Sequence, residues 1–175
     1  MQRLAFTASA VLFLTACQGG PPPERFESPE DGFSIHRLDE GWTQSRDKGS
    51  VVFRGSAQAG FGRTTIVVRS VPVTSANQGT RGAREVVAAT GHVIDALPGV
   101  TVHDQHATTH KRYDARTFEL TYTPKSRGVP YERRHVVLTG DLKHIYHVML
   151  TAPEGELDNA AGLFDDLVGS LQGEG

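Results

Sequence analysis

Three histidines stand close together in the chain and could bind a metal ion: His103, His106 and His110. Imidazole nitrogens are common ligands of zinc and copper. On a helix this spacing would place the three rings on one face, but the surrounding valines and threonines favour a strand and a turn, in which His103 and His106 point to opposite faces. Structural zinc sites usually take four ligands, and this segment offers no cysteine. Zinc or copper binding is therefore a hypothesis, and its alternative is a solvent-exposed strand and hairpin.

A second histidine group lies near the carboxyl end of the chain. His144 and His147 differ by three positions and should face opposite sides of a strand, with Tyr146 on the face of His144. One of the two histidines could then be buried, and a core or rim histidine is more common than a ligand. A pairing of His135 with either ring in three dimensions stays open.

A glycine-bearing segment with two arginines, residues 79–84, begins a predicted helix. The N-terminus of a helix attracts anions, so Arg81 and Arg84 form a candidate anion site. The segment has neither the lysine of a P-loop nor the glycine spacing of a dinucleotide-binding fold. The alternative is a flexible loop with two exposed arginines.

Catalytic signatures are missing from the sequence. It contains no G-x-S-x-G motif that would activate a serine. The neighbouring carboxylates Asp165 and Asp166 fit the solvent-exposed face of an amphipathic helix better than a catalytic acid/base pair. The sequence therefore gives no indication of an enzyme, and it implies no cofactor.

The one cysteine of the chain, Cys17, follows a short apolar segment. Arg3 supplies a positive start, residues 4–13 are apolar, and two small residues precede the cysteine, which is the pattern of a secretory signal. The segment is too short to span a bilayer, which takes about 20 residues. Leu14-Thr15-Ala16-Cys17 resembles the lipobox of bacterial lipoprotein precursors. This resemblance implies that residues 1–16 are a signal peptide and that the Cys17 thiol carries a diacylglycerol.

Residues 17–24 would then be a lipidated cysteine followed by a Gly/Pro spacer that cannot bury a core. Lipoprotein anchors carry more than one acyl chain, which suffices for lasting attachment to a membrane. Because Gln18 is not an aspartate, resemblance to the sorting rule of enteric bacteria favours the outer membrane. We expect a lipid-anchored protein of the cell envelope, facing the periplasm at the outer membrane if the source is Gram-negative.

Composition predicts one domain, residues 25–172. A chain of this size can bury enough surface to fold without a metal or a disulfide. The formal net charge of the 175 residues is -2, and removal of Arg3 with a signal peptide would lower it to -3. Basic and acidic residues alternate along the chain, so the basic patch that a nucleic acid requires is missing, and no nucleic-acid partner is expected.

Hydrophobic spacing predicts strands and two helices. The pattern of residues 79–97 has a helical period and ends at Pro98-Gly99. A second helix is predicted over residues 157–171, with its apolar residues on one face. Alternating apolar residues predict strands over residues 32–37, 50–55, 64–71, 100–110, 113–123, 131–139 and 143–151. Short turns join the later strands, which favours antiparallel hairpins. The predicted fold class is α+β, with an antiparallel sheet flanked by helices.

The first predicted strand carries a family resemblance. Residues 31–35, Asp-Gly-Phe-Ser-Ile, and then Gly41-Trp42 resemble the opening of PsbP-like and DcrB-like domains, in which an aspartate-glycine turn leads into the first strand. Residues 38–40 stand where these domains commonly have a proline. The order of the remaining elements is also similar. The resemblance implies an α/β/α sandwich in which Trp42 packs under the sheet.

PsbP-like folds serve as extrinsic photosystem subunits, as GTPase-binding proteins and as envelope lipoproteins, so the resemblance alone does not select an activity. We expect a membrane-anchored envelope lipoprotein that acts as a binding, accessory or scaffold module for another envelope protein. The alternative is a periplasmic carrier of a small ligand or metal that uses the histidine-rich strands. These two hypotheses differ in whether the partner is a protein or a small molecule.

Overall fold

A seven-stranded antiparallel sheet with one helix on each face forms the body of this protein in a computed structural model, which describes residues 24–39, 41–47, 49–110, 113–126, 128–139 and 143–173. Its strand order is β3-β4-β5-β9-β8-β7-β6. These strands are β3 (Trp42–Asp47), β4 (Ser50–Gly55), β5 (Thr65–Pro72), β6 (Thr101–His110), β7 (Tyr113–Tyr122), β8 (Tyr131–Thr139) and β9 (His144–Pro153).

A smaller antiparallel sheet has the order β1-β2-β10. Its strands are β1 (Arg25–Ser28), β2 (Phe33–His36) and β10 (Gln172–Gly173), and the helices are α1 (Gly79–Asp95) and α2 (Asp158–Ser170). The predicted α+β class is confirmed, and both predicted helices are present.

The first face of the large sheet packs against α2 and the small sheet. Alternate residues of each central strand point to this face and become the core, as the period of two requires. Val68 of β5, Val148 and Leu150 of β9 and Phe164 of α2 have no exposed surface. The small sheet adds Ile35, which is also fully buried.

Specific hydrogen bonds attach the small sheet to this core. The hydroxyl of Tyr146 in β9 donates to the carbonyl oxygen of Gly32 at 2.5 Å. Gly32 has a left-handed φ of 65°, and a Cβ atom there would lie 2.7 Å from the ring of His144. Arg25 of β1 donates to the side chain of Ser34 and to the carbonyl oxygen of Ser170 at the end of α2. The N-terminal strand is thus tied to the C-terminal helix.

The second face of the large sheet packs against α1. Its core contains Phe118, Leu120, Val137 and Ile145 from the strands and Ile94 from the helix. Of the 17 residues of α1, only Gly82, Thr90 and Ile94 are buried. The remaining surface under the N-terminal half of the helix is open.

Candidate functional site

A groove of about 860 Å³ runs between α1 and the outer strands β6, β7 and β8. One wall is the side of α1 that carries Thr80, Ala83, Arg84, Val87 and Gly91, which follow one another at helical spacing. Apart from Arg84 these side chains are short, and they leave open space between this side of the helix and the strands.

The turn before α1 fixes this wall. The side chain of Asn77 accepts a hydrogen bond from the backbone N–H of Thr74, which closes the turn. Gly82, in the first turns of the helix, approaches that turn so closely that a Cβ atom would lie 2.1 Å from the carbonyl carbon of Asn77. The helix therefore begins close against the chain that leads into it, and its direction across the sheet is set at that contact.

The other wall is built by register. Ala107 of β6 lies opposite Arg116 of β7, and Thr109 of β6 lies opposite Asp114, which in turn lies opposite Thr139 of β8. Residues in register share a face of a sheet, so these five side chains all point toward α1. The hydroxyl of Thr139 donates to the carbonyl oxygen of Asp114 at 3.3 Å.

Two arginines give the groove its chemistry. Arg84 and Arg116 line it, and neither forms an ion pair with another residue in the described part of the chain. A guanidinium is always protonated and presents several donors in a plane, which suits a carboxylate or another planar anion. The first turn of α1 has no acidic residue that would offset its positive end. Asp114 is the one carboxylate among the lining residues.

The predicted pair Arg81 and Arg84 is separated in the structure. Arg84 lines the groove, whereas the guanidinium of Arg81 is exposed and donates to Glu85 at 2.9 Å on the outer side of the helix. The two positions are three apart, and only Arg84 lines the groove. The second arginine of the groove is Arg116, which no local sequence pattern indicates because strand β7 comes close to α1 only after folding.

Strand β6 lies at the edge of the sheet beside the groove. Nine of its ten residues are exposed, and in the described part of the chain it pairs with β7 alone. A bulge interrupts the register between Val102 and Asp104. Beyond the bulge, residues 105–110 pair regularly with β7. This leaves a straight, accessible strand edge along one rim of the groove.

The bulge overturns the prediction that His103 and His106 face opposite sides of the strand. The His103 ring lies 2.6 Å from the hydroxyl of Thr121, and His106 lies opposite Thr117. Thr117 and Thr121 are four positions apart on β7, so they share a face. One extra residue in β6 has moved His103 to the side of His106.

The structure does not bring His103, His106 and His110 together around one point. Four positions along a strand span about 13 Å, which separates His106 from His110. His106 instead shares a hydrogen bond with Asp104 at 2.8 Å. In the described ranges, no group of three or more His, Cys, Asp or Glu residues is arranged to hold a metal ion.

His135 and His147 form a pair, the arrangement that the sequence left open. Nε2 of His135 and Nδ1 of His147 share a hydrogen bond at 3.1 Å on the α1 face of the sheet. Burial, followed by the charges of His147 and Arg133, lowers the pKa of His135 to about 3. Burial and then the charge of Arg69 lower the pKa of His147 to about 4. Both rings are neutral at physiological pH, and Nδ1 of His135 has no hydrogen-bond partner among the described residues.

His144 faces the opposite side from His147, as predicted. Its ring lies beside Tyr146, with 6.1 Å between the ring centroids. Trp42 is partly buried and packs on Phe61 with 5.2 Å between ring centroids. These residues belong to the packing of the small sheet and of the sheet's other edge, away from the groove.

Cys17, the predicted lipidation site, lies outside the described residues, as do the signal peptide and most of the spacer. None of the described helices combines the length and the apolar character needed to span a membrane.

Comparison with known proteins relates this chain to others by structure. It matches no protein-family model, and no curated protein matches it significantly. The cyanobacterial PsbP protein of Synechocystis sp. PCC 6803 has a TM-score of 0.61 at 18% identity, over 91% of this chain and 98% of that one. These values show that the chain has a PsbP-like fold.

Two further solved structures share the fold. LpqN, described as involved in cell envelope biogenesis of Mycobacterium tuberculosis, has a TM-score of 0.57 at 14% identity, over 87% of this chain and 86% of that one. A protein from Bacteroides thetaiotaomicron has a TM-score of 0.62 at 14% identity over 87% of this chain. The chain spans about half of that protein, 49% of its length.

Proposed function

We propose that this protein is a lipid-anchored envelope protein whose PsbP-like domain is a binding module, and that the groove between α1 and strands β6–β8 is its binding site. The observation that carries the proposal is the groove itself, which is open, bordered by an accessible strand edge and lined by two arginines without ion-pair partners in the described chain. Sites of this kind recognise a partner by shape and charge.

The chemistry of the lining residues supports binding over catalysis. An arginine does not lose its proton in proteins, so Arg84 and Arg116 are unsuited to abstracting one. Asp114 also lines the groove, but the other lining residues include no histidine, serine or lysine that could act with it in proton transfer. The arginines are suited to holding an acidic group of a partner.

The anchor supports a location for this binding. Lipidation at Cys17 would hold the domain a short distance from a membrane, through the spacer that ends at Glu24. The structural likeness to LpqN, a protein involved in cell envelope biogenesis, fits an accessory role in the envelope. We further propose the outer membrane, facing the periplasm, for a Gram-negative source.

Crosslinking in intact cells tests the proposal with matched variants. The full chain is expressed in its own host as wild type, Arg84→Glu and Arg81→Glu, and crosslinked proteins are identified by mass spectrometry. We expect Arg81→Glu to recover the same proteins as wild type, because Arg81 faces away from the groove. Arg84→Glu should lose them because it places a negative charge where an acidic partner binds. If Arg84→Glu recovers the same crosslinked proteins as Arg81→Glu and wild type, the groove is not the binding site.

The anchor needs its own measurement. Labelled palmitate should enter the wild-type chain and should not enter Cys17→Ser. Equal labelling of the two chains would contradict the proposed anchor and the location that depends on it.

A small-molecule carrier is the second candidate, because a volume of about 860 Å³ lies in the range of ligand pockets, roughly 300–1,000 Å³. Its metal-binding form loses support, since the three predicted histidines do not converge. Native mass spectrometry of the chain extracted from its own membranes distinguishes the candidates. A bound anionic molecule that is absent from Arg84→Glu would favour the carrier.

A further inference from the structure

We infer that β6 is a docking strand, to which an extended, acidic segment of a partner polypeptide adds as the eighth strand of the sheet. The inference rests on the proposed function, because it specifies what the groove binds. In this mode the backbone of the partner pairs with β6, and alternate side chains of the partner enter the groove.

The edge of β6 is accessible. An edge strand presents a row of unpaired N–H and C=O groups, and proteins usually protect it with prolines, charges, bulges or a covering segment. Strand β6 has ten residues and contains no proline, and Asp104 is its one carboxylate. The bulge at Val102 and Asp104 protects one end alone, so residues 105–110 remain open to pairing.

The other edge of the sheet shows what protection looks like in the same molecule. Strand β3 has six residues, and its Arg46 donates to Ser28, Glu30 and Asp31 in the turn of the small sheet. These bonds hold part of the small sheet across the end of β3. No comparable bond crosses β6 from another element in the described chain, apart from those to its neighbour β7.

The side chains of an added strand would reach the groove. Strands pair about 4.8 Å apart, and their side chains alternate between the two faces. On the groove side, the added strand would lie beside Gln105, Ala107 and Thr109, which are uncharged. Its groove-facing side chains would approach Arg84 and Arg116, which have no carboxylate partner in the described chain. An Asp or Glu at these positions forms the charge-assisted hydrogen bonds that the two guanidinium groups lack.

A second copy of this chain is a poor match for the groove. If β6 of one molecule paired with β6 of another, the side chains brought to the groove would come from the same uncharged set, Gln105, Ala107 and Thr109. Such a pair would leave Arg84 unpartnered. The geometry therefore points to a different, acidic polypeptide.

Peptides with altered backbones test strand addition directly. The probe is a fluorescein-labelled heptapeptide, Thr-Thr-Glu-Val-Glu-Thr-Thr, whose two glutamates share one face when it is extended. Two further peptides carry N-methyl groups on alternate amides, in one register or in the other. Binding to the full lipidated chain in detergent is followed by fluorescence anisotropy.

We expect the parent peptide to bind with a Kd below about 1 mM. Since only alternate amides of an added strand face β6, one N-methylated register should bind at least about tenfold more weakly and the other should bind like the parent. A glutamate-to-lysine peptide and the Arg84→Glu chain should each show a loss of about tenfold or more, and Arg81→Glu should not.

Three results would overturn the inference: no binding of the parent peptide at about 1 mM, equal binding of both N-methylated peptides, or self-association of the chain that disappears in Thr108→Pro. Crosslinked proteins that depend on Arg84 would then still support the groove as a binding site, without strand addition. Equal crosslinking by Arg84→Glu and wild type would instead reject the proposed function itself.

Discussion

Helices α2 and α1 lie on opposite faces of one sheet and cover those faces to different depths. In the 13 residues of α2, the side chains of Ala160, Phe164, Leu167 and Val168 are at most 2% exposed. Helix α1 is longer, with 17 residues, but most of its sheet-facing side chains are only half-buried, and Val93 is 68% exposed. The α2 face is a packed core, and the α1 face keeps a groove. The packed core of the α2 face and the open groove of the α1 face therefore lie on opposite sides of the molecule.

Truncating one side chain on each helix should give the largest difference in the free energy of unfolding. Phe164→Ala removes a fully buried ring from the α2 face, and we expect a loss of about 3–5 kcal/mol in the free energy of unfolding. Val87→Ala, on the groove side of α1, removes half-buried methyl groups and should cost at most about 1 kcal/mol. Urea unfolding of both variants measures the difference. Similar losses would show that α1 is packed as tightly as α2.

Acid should have the second-largest effect on the free energy of unfolding, because the α1 face carries the buried histidine pair. The pKa of His135 is about 3 and that of His147 about 4 in the folded chain, against an ordinary value of 6.5. Below pH 6.5 the unfolded chain binds protons that the folded chain does not, so the free energy of unfolding falls as the pH falls. At pH 5 each ring should account for a loss of about 2 kcal/mol. Urea unfolding between pH 7 and pH 4 measures the slope.

A variant separates this pair from the carboxylates that also titrate in acid. His135→Leu removes one of the two rings and should remove about half of the loss between pH 6.5 and pH 5. An unchanged slope in that variant would mean that other groups cause the acid sensitivity.

The smallest effect concerns two glycines inside the helices. Apart from the chain neighbours and the nearby backbone of the helix itself, no described atom lies within 4 Å of where a Cβ would stand at Gly91 of α1 or at Gly162 of α2. Alanine should therefore stabilise each helix by up to about 1 kcal/mol. Gly91 lines the groove and Gly162 is exposed on the far helix.

The two variants consequently differ in binding. Gly91→Ala should weaken binding of the acidic peptide by narrowing the groove, and Gly162→Ala should leave it unchanged. Anisotropy and thermal unfolding measure both properties in the same samples. Weaker peptide binding by Gly162→Ala, or unchanged peptide binding by Gly91→Ala, would show that the peptide does not bind in the groove.

Hydrophobic period sufficed to predict most of the fold. Strands with strict alternation, such as β4 and β8, and the helix α1 start where the pattern indicated. Strands β1, β3 and β10 were missed. Strands β1 and β3 each contain a single apolar residue, Phe26 and Trp42, so neither has an alternating apolar pattern, and β10 has only two residues. These strands are therefore defined by their pairing in the folded sheets and not by a local pattern.

The candidate site was less predictable than the fold. Arg84 could be predicted as part of an anion site because it lies near the N-terminus of a predicted helix. In contrast, Arg116, Asp114 and Thr139 reach the groove through the register of three strands. That register is a property of the folded sheet, and no local motif encodes it. No local motif predicts the bulge in β6 either, and its single extra residue places His103 on the face opposite to the predicted one.

The attachment of β1 has a mechanical consequence. If the chain is held at Cys17, tension on the tether enters the described structure at Glu24 and reaches Arg25 first. The guanidinium of Arg25 donates to Ser34 and to the end of α2, so the load passes into the small sheet and the α2 face. The groove lies on the opposite face of the large sheet. Movement of the membrane would therefore be absorbed by the small sheet, and the shape of the binding surface would stay constant under strain.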